Sequence, residues 1–94
     1  ILRLGLFSKF SSKKGSENTF RPLFGKNLET YRKKKKLSYR ELSQNCDLDH
    51  SYISKIEKGE VNVTLETILE LMKGLNVSAK DLFDFDFDIN KLNL

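Results

Sequence analysis

Residues 38–60, SYRELSQNCDLDHSYISKIEKGE, hold the densest set of local structural signals in the chain. Ser38 and Glu41 form a Ser-x-x-Glu capping box, in which each side chain satisfies the other's backbone donor, so a helix can start at Tyr39. Leu42 and Cys46, four apart, give that helix one apolar stripe. It should end near Asp47, because Asn45 to Asp49 concentrates turn-forming residues and Asp tolerates the left-handed conformation such a turn needs. Leu48 would plug the turn into the core. Asp49 can cap a second helix, with Ile53 and Ile56 pointing inward and His50, Ser51, Ser54, Lys55 and Lys58 facing out. Gly59 stops it. Two short helices about a tight turn, the second with a polar outer face, outline a helix-turn-helix, whose second helix enters the DNA major groove.

On either side of this stretch the chain is also legible. Residues 11–21, SSKKGSENTFR, read as a polar linker after an N-terminal segment, and Pro22 and Gly25 mark the start of the helical unit. A first helix is predicted from about Phe24 to Lys35, with Leu28 and Tyr31 inward and Arg32 close to them. After the loop GEVNV, Thr64 can cap a fourth helix. There Leu65, Ile68, Leu69, Met72 and Leu75 recur at helical spacing, Glu66, Glu70 and Lys73 lie outside, and Leu71 falls off the stripe toward a neighbour. Asn76 can end it, and Ser78 with Asp81 can start a short fifth helix ending at Leu82 or Phe83.

The last segment changes period. Phe83, Phe85, Phe87 and Ile89 alternate with Asp84, Asp86 and Asp88, which predicts an extended strand. Leu2, Leu4 and Leu6 alternate in the N-terminal segment as well, so the two termini are expected to pair as β-strands, within one chain or between two. The competing reading is an unstructured leader and an acidic tail. The organisation is therefore an N-terminal extension and linker at 1–21, a helix-turn-helix domain at 22–83 and an acidic aromatic strand or tail at 84–94.

Ninety-four residues with 38% hydrophobic content suit one small core, with no room for a separate sensor or catalytic domain. Residues 1–62 carry a net charge of +7 and the remainder −3, so a polyanion would meet the helix-turn-helix side. The single cysteine excludes an internal disulfide, and its place on a helix stripe makes it a small core residue in a reducing, cytoplasmic setting. Arg3, Lys9, Lys13 and Lys14 interrupt the N-terminal apolar positions, so neither a membrane span nor a signal peptide is expected. One His, one Cys and the absence of a Gly-rich phosphate loop argue against an enzyme; no metal or cofactor is expected, since Asp84, Asp86 and Asp88 lack the glycine and terminal glutamate of a calcium loop.

Helix geometry assigns base reading to the first turn of the second motif helix and the next outward turn: His50, Ser51, Ser54 and Lys55, with Asp49 at the tip. Lys55 suits guanine O6 or N7. Tyr39, Arg40, Tyr52, Lys58 and Asn62 are the candidates for the phosphate backbone. Tyr52 has a competing reading as a packing residue.

From about Phe24 to Phe83 the chain resembles the lambda-repressor-like, Cro-type helix-turn-helix family, also called the XRE family. The resemblance rests on Leu37-Ser38, Leu42, Leu48, Ile53, the segment SYISKIEKG and the run TLETILELMKGLNVSAKDLF, in that order. Two positions depart from the family pattern: Tyr39 stands where it usually has Gln, and Asp47 where it usually has Gly. The resemblance implies an all-α, compact five-helix domain and the same base-reading positions. The basic run Arg32 to Lys36 also reads as a DNA contact, with part of it complementing the negative end of the first helix; for Arg32 the resemblance implies instead a structural ion pair with Glu57. The function it implies is sequence-specific binding of double-stranded DNA as a homodimer on an inverted repeat, as in repressors and restriction-modification controllers. Leu71, the fifth helix, Phe83, Phe85 and Phe87 are the surfaces expected to form the dimer. The alternatives are an antitoxin, whose aromatic tail would bind a toxin as a strand, and an interaction module that keeps the fold without reading DNA.

Overall fold

Helix α1 (Phe20–Lys34) starts four residues earlier than the apolar pattern suggests. Pro22 explains how: it lies in the first turn, where backbone N–H groups have no intrahelical acceptor to lose. The computed structural model describes residues 20–91, and α1 is the first of its five α-helices. The others are α2 (Tyr39–Gln44), α3 (His50–Glu57), α4 (Leu65–Leu75) and α5 (Ala79–Leu82), followed by a 3-10 turn at Ile89–Lys91.

Local chemistry fixes the helix ends. Ser38 Oγ accepts the Glu41 N–H at 3.1 Å and Glu41 Oε1 accepts the Ser38 N–H at 2.8 Å, the capping box expected for α2. Asp49 caps α3, Thr64 caps α4, and Ser78 with Asp81 forms a second capping box on α5. At the far end of α3, Gly59 adopts φ +75°, which lets the Gly59 and Glu60 N–H groups close back on the Ile56 and Lys55 carbonyls. Asn76 (φ 56°) ends α4 in the same left-handed conformation.

Every helix contributes to one core: Phe24 and Leu28 from α1, Leu42 from α2, Ile53 and Ile56 from α3, Leu71 and Leu75 from α4, and Leu82 from α5. Leu48 packs against it from the turn. The rotation of α4 differs from the sequence expectation. Thr67, Leu71, Gly74 and Leu75 face inward, with Leu71 at 0% exposure, whereas Leu65 and Leu69 are 76% and 60% exposed. Both stripes have helical spacing. Gly74 decides between them, because its bare Cα lets α4 come down on Leu42 and Cys46. Leu71 is thus a core residue and is withdrawn as a dimer contact.

The C-terminal segment is not the expected strand; every regular element among the described residues is helical. The rings of Phe83, Phe85 and Phe87 gather around Phe20, with centroids 6.2, 5.3 and 4.9 Å away, and Phe83 also lies 5.2 Å from Phe24. An aromatic cluster on the first turn of α1 replaces cross-strand pairing, while the intervening aspartates stay exposed. Residues 1–10, the expected partner strand, lie outside the described residues.

The turn between α2 and α3 corrects a further expectation. No residue from Asn45 to Asp49 has a positive φ, so Asp47 stands in place of the family's usual Gly without left-handed strain.

Candidate nucleic-acid interface

The α2–α3 unit is held to the rest of the molecule from two sides. On one side α4 fastens the turn. The Asp47 N–H donates to Glu70 Oε1 at 2.8 Å, Lys73 pairs with the same oxygen at 3.0 Å, and Asn45 Nδ2 donates to the Gly74 carbonyl at 3.4 Å. The Asp47 N–H and Lys73 hold the Glu70 carboxyl below its ordinary pKa. Sequence reasoning had placed Glu70 only on an outer face, since a contact spanning 23 residues leaves no local pattern.

On the other side stands Arg32. Its Nε and one terminal nitrogen donate to the two Glu57 carboxylate oxygens at 2.6 and 3.1 Å, and its other terminal nitrogen donates to the Leu37 carbonyl at 2.8 Å. The Tyr39 ring covers its face, 4.2 Å from guanidinium carbon to ring centroid. Both side chains of the ion pair are buried. Hydrogen bonding to Glu57 raises the guanidinium pKa further, against the opposing effect of burial. One side chain thereby joins α1, the α1–α2 connection, the first residue of α2 and the last residue of α3.

With Ile53, Ile56 and Glu57 turned inward, α3 presents Ser51, Lys55 and Lys58 along one exposed ridge, and His50 and Ser54 are half-buried beside it. Asp49 sits at the tip. Its carboxylate accepts the Ser51 N–H at 3.0 Å and, through a shorter contact, the Ser51 hydroxyl; these bonds depress its pKa. The carboxylate therefore organises the start of α3, and His50 Nδ1 lies 3.9 Å from its other oxygen. Tyr52 is half-buried against the core, and its hydroxyl donates to the Asn62 carbonyl at 3.3 Å, tying α3 to the loop that exposes Asn62. The packing reading of Tyr52 is thus the one its contacts match. Arg40 is exposed next to Tyr39 at the start of α2.

Gly25 is the positioning residue that sequence reasoning missed. A Cβ there would fall 2.3 Å from the Glu57 carbonyl oxygen and 2.5 Å from that of Ile56, so α1 crosses α3 with backbone against backbone. In the sequence Gly25 reads only as a marker of the start of the helical unit, because a contact with residues more than 30 positions away leaves no local pattern. Cys46 is half-buried and its Sγ lies 3.4 Å from the Leu42 carbonyl; burial raises its thiol pKa, which lowers its thiolate content. Among the described residues no cluster of three His, Cys, Asp or Glu could hold a metal ion, and no helix is long and apolar enough to cross a membrane.

The α2–α3 unit lies within the part of the chain that known proteins share. The family model described as helix-turn-helix matches residues 28–82. Control protein C.BamHI of Bacillus amyloliquefaciens is 44% identical over 69 residues, spanning 72% of this chain and 85% of that protein. Control protein C.SmaI of Serratia marcescens is 37% identical over 60 residues, 64% of this chain and 71% of that one. Among solved structures, the restriction-modification controller protein C.AhdI from Aeromonas hydrophila superposes with a TM-score of 0.67 at 35% identity, covering 69% of this chain and 98% of that chain. The controller C.Esp1396I, solved as a tetramer with its natural 35 base-pair operator, gives a TM-score of 0.67 at 29% identity over 72% of this chain and 90% of that chain. The chain belongs to the helix-turn-helix family, in the XRE-type group of transcriptional regulators.

Proposed function

We propose that this regulator is a restriction-modification controller that acts in the cytoplasm, by binding rather than catalysis, as a homodimer on an inverted-repeat operator in double-stranded DNA. The observation that carries the reading is the α3 ridge: Ser51, Lys55 and Lys58 stand exposed on a helix whose opposite face is locked into the core. The similarity to control proteins supports the choice of genetic system.

In this reading His50, Ser51, Ser54 and Lys55 face base edges, and Asp49 joins them only with the lone pairs that Ser51 leaves unused. Tyr39, Arg40, Lys58 and Asn62 face phosphates, and Tyr52 positions the Asn62 loop. The two groups separate experimentally. Lys55→Ala is expected to lose about 1–3 kcal/mol of discrimination at one base position. Tyr39→Phe, which keeps the ring over Arg32 but removes the phenolic donor, should weaken all duplexes alike. Binding to a selected operator and to single-base variants of it measures both. A uniform loss in Lys55→Ala would contradict its assignment as a base reader.

One α3 spans only a few base pairs, so a two-fold dimer on half-sites about 10 base pairs apart is needed for specificity. The surface that suits it is the outer stripe of α4. Leu65 and Leu69 are largely exposed, with Ile68 and Met72 half-buried alongside. The apolar surface continues through Val61 and Val63 to a groove of about 220 Å³ bounded by Phe20 and Phe83. Replacing Leu65 and Leu69 together with lysine should yield a folded monomer, because neither residue is in the core, with operator affinity reduced by at least tenfold as the second half-site is lost. Sedimentation equilibrium and operator titration check this. A double variant that remains dimeric would move the interface elsewhere, to α5 or to Phe83 and Phe87.

A further inference from the structure

The basic run that ends α1 is more than that helix end requires. Charge complementation of a helix dipole acts within its last turn, and here that turn already holds Arg32, Lys33 and Lys34. Each of these has a partner: Arg32 has Glu57, Lys33 lies 3.2 Å from Glu29, and Lys34 sits 5.0 Å from the centroid of the Tyr31 ring. Lys35 and Lys36 follow the helix, are exposed, and make no ion pair among the described residues.

Lys36 also occupies a strained position. Its φ is +59°, closing α1 through its own N–H to the Lys33 carbonyl and the Leu37 N–H to the Arg32 carbonyl. Glycine fills such a position without the steric cost that a Cβ brings. A lysine held in a left-handed conformation, where glycine would fold better, is an outlier that points to function. Its place in the fold indicates which function: Lys36 lies two residues before Ser38, the cap of α2, whose first residues Tyr39 and Arg40 face the DNA backbone in the reading above. Lys35 and Lys36 thus lie in the exposed connection that leads from α1 into that end of α2.

We propose that Lys35 and Lys36 bind phosphates of the duplex flanking the bases read by α3, lengthening the footprint of each protomer without adding sequence preference. The inference rests on the functional reading above. It makes an unusual demand of one substitution: Lys36→Gly should improve the fold and impair the function. Its Tm should rise by about 2–5 °C as the left-handed strain is relieved. Its affinity for a selected operator should fall several-fold, and the slope of log K against log salt should become shallower by about 0.9, one phosphate contact. Lys35→Gln should show the same change in slope without the gain in Tm, and base preference should be unchanged in both.

The measurement is fluorescence anisotropy of a labelled operator duplex over a salt series, beside thermal melts, with Lys26→Gln, an exposed position on α1, as control. Trimming the flanking base pairs should remove the difference between wild type and Lys36→Gly. Lys36→Gly and Lys35→Gln proteins that bind with wild-type affinity and slope would overturn the inference while leaving the regulator intact. A wild-type protein that retains no duplex would instead overturn the functional reading on which it rests.

Discussion

Arg32→Ala is expected to destabilise the domain by about 3–5 kcal/mol, the usual consequence of leaving one buried charge of a pair without its partner. For a domain of this size that corresponds to a fall in Tm of roughly 15–30 °C. The cost is high because the Glu57 side chain is only 3% exposed and loses both of the Arg32 hydrogen bonds that meet its oxygens. The Leu37 carbonyl loses a donor and Tyr39 loses the cation beneath its ring in the same step. Duplex binding should fall with stability, since the ends of α2 and α3 are both fastened to this side chain. Replacing the pair together, as Arg32→Met with Glu57→Leu, should recover much of the stability, because it is the orphaned charge that is costly. Thermal melts of the two variants check this. An Arg32→Ala protein with wild-type Tm but defective DNA binding would make Arg32 a DNA contact instead of a brace.

Gly25→Ala should be nearly as damaging, although a Gly-to-Ala change inside an exposed helix ordinarily stabilises. Here the added methyl would meet two backbone carbonyl oxygens at 2.3 and 2.5 Å, and backbone cannot swing aside as a side-chain tip can. To make room, α1 must lift from α3, loosening Phe24 and Leu28 against Ile53 and Ile56 and lengthening the Arg32–Glu57 bonds. The loss should be about 2–3 kcal/mol, within the range for overpacked interiors. Chemical denaturation measures it. A stabilised Gly25→Ala protein would mean that α1 and α3 do not cross this closely.

These two positions show where sequence reading succeeds and where it stops. Ser38 with Glu41, Asp49, Thr64, and Ser78 with Asp81 are legible because capping is a contact over two or three residues, and each cap forms as read. Arg32 with Glu57 came from the family resemblance, and the pair is present in the structure. The orientation of α4 was not legible, because Leu65, Ile68, Leu69, Met72 and Leu75 form the evident apolar stripe while Leu71, off that stripe, shares with Leu75 a second one of helical spacing. Only the approach of α2 to Gly74 selects the second. The alternating phenylalanines misled for a related reason: a period of two fits a strand, but it fits equally a short irregular segment whose rings cluster on Phe20. Gly25, Glu70 and the left-handed Lys36 depend on partners distant in sequence or on a backbone angle, and neither leaves a periodic trace.

An α3 ridge that reads sequence within a two-fold dimer must leave its mark on the DNA that the protein selects. The most direct test is to incubate the protein with a randomised duplex DNA pool at moderate salt and sequence the retained fraction. The expected result is an inverted repeat whose half-sites lie about one helical turn, roughly 10 base pairs, apart. Retention without any enriched sequence, or no retention at all, would contradict it.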